Sequence, residues 1–270
     1  MGKAVAFRQQ VKRGWAALYR HLAAPRQAGD LVVLTYHSIL PDETFSTPPD
    51  VFARQLEYLV ERFRLVSLDA WLQRAEGGGA DQRPAALVSF DDGYENFFRF
   101  AFPLLQKFEV PALLFITTGL VTGGCGVAAR LGMYGHLPPL SWGQLRELQA
   151  GGVTIGSHTH RHCDLGQATR AEAAEELTYS KKILEDQLEA PIKFFAYPWG
   201  YRQNIGRETP SLLREAGYLA ACSSLWGKNT AATDPYLLRR VRVDAWDTPE
   251  DFRAKVEGAW DFIGLYQKFS

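Results

Sequence analysis

The sequence is short of several things that would have sent its reading elsewhere. Its 270 residues include only three cysteines, Cys125, Cys163 and Cys222. An odd number without CxxC spacing offers neither a disulfide framework nor a zinc-ribbon signature, and it favours a reducing compartment. Basic and acidic residues number 30 each, so no bulk positive charge supports nucleic-acid binding. No apolar run is long enough to span a bilayer. No GxGxxG or Walker pattern follows the first strand-like run, which counts against nucleotide binding. Internal repeats are absent, and no histidine occurs after His162.

Acidic residues are missing from one end. Residues 1–29 hold Lys3, Arg8, Lys12, Arg13, Arg20 and Arg26 with no Asp or Glu, which leaves 24 basic against 30 acidic residues, a net of −6, in the remainder. Ala4, Phe7, Val11, Trp15, Leu18 and Leu22 recur at helical spacing, and Arg8, Lys12 and Arg13 interrupt any signal-peptide core. The expectation is a basic amphipathic helix over 4–22, weakened by Gly14. It either lies peripherally on an anionic membrane surface or packs on the barrel or a partner subunit. The corresponding location is cytoplasmic, or peripheral at the inner membrane face, with no signal peptide or transmembrane span.

From Asp30 onward, strand-like runs alternate with helix-like ones. The strand candidates are 31–36, 64–67, 85–90, 112–117, 153–157, 193–197, 218–223 and 238–244. Several are unbroken apolar runs, as strands covered on both faces require. Helix starts are marked by Thr47 before Pro48 and Pro49, by Ser141, by a Thr169/Glu172 capping box and by Thr248-Pro249 with Asp251. Repeated β-then-α units predict an α/β fold with parallel strands inside helices, a distorted (β/α) barrel of seven or eight units. The domain expectation is therefore a helix over 1–29 and one barrel over 30–270. Residues 119–139 form a long glycine-rich connection of the kind often used as a functional lid.

Barrel sites are built at the C-terminal ends of strands, and the polar clusters fall there: "TYHSI" after the first strand, "SFDDG" after the third, "GSHTHRHCD" after the fifth and "AYPWG" after the sixth. Neighbouring side chains on a strand point to opposite faces, so Asp91 and Asp92 can converge only where the strand stops, at a turn that Gly93 permits. A divalent cation is the simplest way to keep both ionised, with one as ligand and the other free to take a proton. The bland alternative is a capping Asp beside a surface Asp. Half of the six histidines, His158, His160 and His162, lie within five residues, and neutral imidazoles ligate zinc and similar metals. Spacing leaves the pair open. His158 and His160 share a face if the strand continues, and His158 and His162 meet if the chain turns. One Asp with two His leaves room for water at the metal.

"SFDDG", "SHTHRH" and "FAYPWG", in this order, resemble the motifs of the polysaccharide deacetylase family, the NodB-homology domain or carbohydrate esterase family 4, over roughly residues 30–262. The resemblance implies a metal-dependent deacetylase that releases acetate from an N-acetylated carbohydrate. It implies Asp91 as general base, and Asp92, His158 and His162 as ligands of a divalent metal, with Zn2+ the first choice and Co2+, Ni2+ or Fe2+ as alternatives. It places Tyr197 and Trp199 at the substrate, the Trp199 N–H as oxyanion donor. The family's third motif, RxxPY, has lost its arginine here, so the usual arginine contact to the base is expected to be missing. A clean DxxDW motif and the C-terminal LxH are also absent. "YHSI" resembles the permuted branch that includes poly-N-acetylglucosamine deacetylases, where the acid histidine comes from the first strand, implying His37. Two other readings stay open: a carbohydrate-binding protein that kept the fold and lost turnover, and an amidohydrolase-type barrel using His158 and His160 as an HxH pair.

Overall fold

A computed structural model describes residues 3–19, 26–41, 43–73, 81–124 and 126–267. Every strand-like run becomes a strand: β1 (Leu31–Tyr36), β2 (Arg64–Leu65), β3 (Ala85–Phe90), β4 (Ala112–Ile116), β5 (Thr154–Ser157), β6 (Phe194–Ala196), β7 (Ala220–Cys222) and β8 (Arg240–Arg242). All pairings between them are parallel, in the order β7-β6-β5-β4-β3-β1-β8, with β2 pairing the start of β3. The ring closes through a parallel bridge between Cys222 and Leu238, where Ser223 N donates to Leu238 O at 2.7 Å. The result is a nearly closed, distorted (β/α) barrel.

Two-residue periodicity sorts the strand side chains into two cores. Leu31, Val33, Leu87, Leu113, Phe115, Phe194 and Ala196 fill the barrel interior as one buried cluster. Their neighbours Val32, Leu34, Val88, Leu114, Phe195 and Tyr197 point outward into a second cluster shared with the helices. Strands β1, β3, β4, β6 and β7 are therefore covered on both sides, which is why their sequences read as largely apolar runs. Parity also decides which residues beyond a strand end can face the barrel mouth. His37 follows Thr35 and Val33, Asp91 follows Ser89 and Leu87, and His158 follows Gly156, all on the inward register.

The helices outside start where the sequence marks them. Ser141/Gln144, Thr169/Glu172 and Thr248/Asp251 form reciprocal capping boxes. Thr47 does not cap as expected: Pro48 takes the N-cap position of α2 (Pro49–Arg62) without a side-chain bond. The Thr47 backbone instead pairs with the segment after β1, through Thr47 N to Ser38 O and Leu40 N to Thr47 O. Residues 119–139 are not a bare loop, since they hold short helical turns at Val127–Arg130 and Gly132–Tyr134. A helix α1 (Lys3–Tyr19) forms at the other end. It rests on the C-terminal helices through Ala16 (buried), the Arg13–Asp251 ion pair and an edge contact of Tyr19 on Phe262. Leu22 lies outside the described residues. No helix among the described residues is long and apolar enough to cross a membrane.

Candidate metal centre and active site

Backbone strain collects at the barrel mouth. Six non-glycine residues among those described have positive φ, and four of them are Asp92 (75°), Thr159 (66°), His162 (49°) and Trp199 (55°). Such conformations cost of order 1–3 kcal/mol each and persist where the surroundings over-determine them. At Asp92 the cause is visible. Asp91 keeps the inward register of β3, and continued strand geometry would turn Asp92 out toward the helices. The left-handed step at Asp92, followed by Gly93 at φ 92°, brings it back over the mouth. A Cβ at Gly93 would stand 2.8 Å from Ile116 Cδ1, a side-chain end that can move aside, so it is chiefly the positive φ that calls for glycine here.

Asp92, His158 and His162, all buried, meet there with ligand atoms within 4.8 Å of one another. Asp92 Oδ1 lies 3.6 Å from His158 Nε2 and 3.6 Å from His162 Nε2. Ligands at ~2.0–2.1 Å from a tetrahedral zinc stand roughly 3.3 Å from each other, so the set is close to the span of one ion. The donor chemistry fits as well. Asp92 Oδ1 is buried with no hydrogen-bond partner, a costly state for a carboxylate oxygen. His158 Nδ1 lies 2.7 Å from Ala196 O; as donor there, it leaves the Nε2 lone pair free. Tyr94 OH donates to the other Asp92 oxygen at 3.1 Å.

Electrostatics divide the two aspartates. Burial and the neighbouring Asp91 charge push Asp92 up to about 7. Burial also raises Asp91, but Arg240, with His158 and His37, outweighs it and brings Asp91 down to about 2. Burial lowers His158, and burial together with His158 lowers His162 to about 2, so both imidazoles are neutral, the state in which a ring nitrogen can bind a metal.

Arg240 corrects the sequence reading. The arginine contact to Asp91, expected to be missing, is present, supplied by β8 instead of the third motif. Its Nη1 donates to Asp91 Oδ1 at 2.7 Å and its Nε to Ser223 O at 2.8 Å, with the side chain almost fully buried in the barrel. The signal was in "RVRV": Val241 and Val243 belong to the outer core, so Arg240 must face inward, where it needs an anion. Glu176 was also missed. This buried carboxylate accepts from the His160 and Arg161 backbone N–H groups at 2.8 and 2.9 Å, which fixes the turn that carries His162 back toward His158.

The remaining candidates separate. His37 lines the same cleft, stacked on Tyr134 at 5.3 Å and 10°. Burial lowers it to about 4 despite the opposing pull of Asp91. Trp199 sits at the lip, 41% exposed, its ring edge-on to His162 at 4.6 Å. No hydrogen bond engages its backbone N–H among the described residues. Tyr197 departs from expectation: on the outward register, it is buried in the helix layer with its hydroxyl on Tyr236 O at 2.9 Å, so its side chain does not reach the cleft. His160 turns away to Thr118 Oγ1 at 2.9 Å, which removes the HxH pair. Cys163 stays outside the cluster, its thiol pushed up to about 12, chiefly by burial.

The fold and this site define a class. A family model for polysaccharide deacetylases matches residues 78–221, and the chain belongs to that family. Among curated relatives, YxkH of Bacillus subtilis strain 168, whose name assigns it as a polysaccharide deacetylase, is 27% identical over 232 residues, 84% of this chain and 76% of its own. The poly-β-1,6-N-acetyl-D-glucosamine N-deacetylase of Staphylococcus aureus is 26% identical over 168 residues, and the matched region spans 55% of that protein. Among solved structures, IcaB from Ammonifex degensii superposes with a TM-score of 0.68 at 26% identity, covering 88% of this chain and all of that one. The Streptococcus pyogenes deacetylase PplD, in complex with acetate, shares the fold at a TM-score of 0.72 and 24% identity, covering 84% of this chain and 98% of its own.

Proposed function

We propose that the chain is a metal-dependent carbohydrate deacetylase that hydrolyses the N-acetyl group of an amino-sugar glycan or glycan precursor and releases acetate. One observation carries the reading. A buried, unpartnered Asp92 oxygen stands 3.6 Å from two imidazole nitrogens, with a second carboxylate beside it held ionised by Arg240. Family membership and a relative named for N-acetylglucosamine deacetylation support the substrate class.

Asp92, His158 and His162 would hold the cation, and the donor set suits zinc, with cobalt, nickel or iron as alternatives. When bound, such an ion supplies Lewis acidity toward a water and an acyl oxygen. Asp91 takes a proton from the attacking water. Arg240 occupies its Oδ1, while Oδ2 makes no hydrogen bond among the described residues. The Trp199 N–H donates to the acyl oxygen as negative charge develops on it. His37 delivers a proton to the departing nitrogen. Because burial keeps His37 neutral near pH 7, that proton reaches it within the cycle, and the proton lost by water accounts for the one gained by the amine. A location at an inner membrane face belongs to the same reading, supported by the basic, acid-free composition of residues 1–29.

The test is metal analysis joined to acetate release from N-acetylglucosamine oligomers. Asp91→Asn should lower turnover ~10²–10⁴-fold and keep the metal. Loss of metal in that variant would reverse the roles of the two aspartates, and no acetate from the metal-loaded wild type would refute the enzymatic reading.

A further inference from the structure

The cleft runs well beyond the metal centre. Its volume is about 1380 Å³, above the ~300–1,000 Å³ of most small-ligand pockets. One wall is α1. Arg13 anchors this helix by donating from Nε to Asp251 Oδ1 at 2.8 Å, and that docking brings Val11, Lys12 and Trp15 to the same cleft as His37, Asp91 and Asp92.

Lys12 is the anomaly on this wall. It is half-buried, with its ammonium 6.0 Å from the Trp260 ring centroid, and it makes no hydrogen bond or ion pair with any described residue. The nearby carboxylates are already engaged. Lys255 Nζ donates to Asp244 Oδ2 at 2.8 Å and Asp247 Oδ2 at 2.6 Å, and Arg242 Nε pairs with Asp244 Oδ1 at 2.8 Å. Three cations thus face two carboxylates. Burial and repulsion from Arg242 both disfavour the charge on Lys12. A partly desolvated ammonium without a partner is unfavourable, and an incoming anion would relieve it through charge-assisted hydrogen bonds. Arg242, half-exposed on the same cleft, is placed to share that anion.

Beyond these charges, the cleft wall next to Lys12 is apolar. Val11 and Trp15 are 44% and 58% exposed, and Phe262 and Ile263 extend the cleft wall beside them. Val11, Phe262 and Ile263 have no group to offer sugar hydroxyls and Trp15 has only its indole N–H, and exposed apolar side chains lining a cleft mark an apolar ligand or partner.

Resting on the deacetylase reading, we propose that Lys12 and Arg242 seat a phosphate of the substrate and that Val11 and Trp15 receive an apolar chain attached to it. The substrate is then an N-acetylated amino sugar joined through phosphate to a lipid. The anion seat and the metal ligands share one continuous cleft, which favours a phosphate carried by the substrate over the headgroup of a surrounding bilayer.

The experiment compares acetate release by the zinc-loaded full chain from three probes: N-acetylglucosaminyl decyl phosphate, decyl N-acetylglucosaminide and a soluble N-acetylglucosamine oligomer. The phosphodiester should have the highest kcat/KM, through a KM about 10-fold or more below that of the phosphate-free glycoside. Lys12→Gln should shrink the phosphodiester-to-glycoside ratio of kcat/KM by about 10-fold, acting on KM, and Lys12→Arg should restore it. Trp15→Ser should raise KM for both chain-bearing probes. Equal kcat/KM on all three probes, or a ratio unmoved by Lys12→Gln, overturns the proposal and leaves the deacetylase reading standing. Failure of all three probes overturns both. If Lys12→Gln abolishes binding to phosphatidylglycerol vesicles while the ratio holds, the cation serves a bilayer and the substrate assignment is wrong.

Discussion

Replacing Arg240 with methionine should strand a charge in the barrel. The guanidinium is almost fully buried and makes two bonds, to Asp91 Oδ1 at 2.7 Å and to Ser223 O at 2.8 Å. Asp91 is equally enclosed, and the Arg240 charge is the largest influence opposing the upward push of burial on its carboxyl. Removing one partner of such a pair costs ~3–5 kcal/mol, because the other is left uncompensated. For a chain of this length ~3 kcal/mol corresponds to a fall in Tm of roughly 6–12 °C. Asp91→Asn combined with Arg240→Met removes both charges, so the double variant should recover much of that loss. Urea unfolding of the four proteins gives the coupling energy directly. The same substitution should move the acidic limb of acetate release to higher pH, since Asp91 must be ionised to act and its carboxyl rises without Arg240. Stability effects that add within ~0.5 kcal/mol, with no displacement of the acidic limb, would refute the pairing.

Three further outcomes follow from named contacts. His37→Ala should slow amide substrates ~10²–10⁴-fold and spare activated esters, whose leaving groups need no proton; equal losses on both would exclude an acid role. Tyr94→Phe removes the hydroxyl that holds Asp92 Oδ2 and should weaken zinc affinity ~10-fold or more in a competitive chelator titration, and an unchanged affinity would show that this bond does not orient the ligand. Burial raises Asp251, but its bonds to Arg13 and the Thr248 cap outweigh that and leave it below the usual Asp value. Its folded pKa is therefore depressed, so the attachment of α1 is at full strength above the ordinary value of ~3.9 and is lost as pH falls through the lower folded value. Hydrogen exchange in α1 should accelerate in that window relative to the barrel strands, and protection unchanged there would refute the role of this ion pair.

Much of the architecture is legible in the chain because local rules and global packing agree. Largely apolar runs announce strands covered on both faces, and β1, β3, β4, β6 and β7 fall within them, while β8 shows instead as an alternation of arginine and valine. Capping boxes at Ser141, Thr169 and Thr248 are local hydrogen-bond patterns, so the sequence carries them complete. Thr47 misled because its hydroxyl is a cap only if the local backbone is free, and here it is drawn into pairing with Ser38 and Leu40. Tyr197 misled because its neighbourhood in sequence is the site while its side chain, one register step off, belongs to the outer core.

The residue types at the site, two adjacent carboxylates before a glycine and a cluster of histidines after another strand, were set by the sequence alone, since strand ends in such barrels all open on one face. Which atoms meet was decided only in three dimensions. A backbone step into positive φ turns Asp92 against strand parity, and another at His162 helps the chain double back toward His158 after β5 has ended; the spacing of the residues does not show where such steps fall. Arg240 lies 149 positions from Asp91, and Lys12 is further still from the β8 residues it faces. Those partnerships exist because barrel closure sets β8 beside β1 and because α1 docks on the C-terminal helices at one wall of the cleft, long-range events that the spacing of residues along the chain does not record.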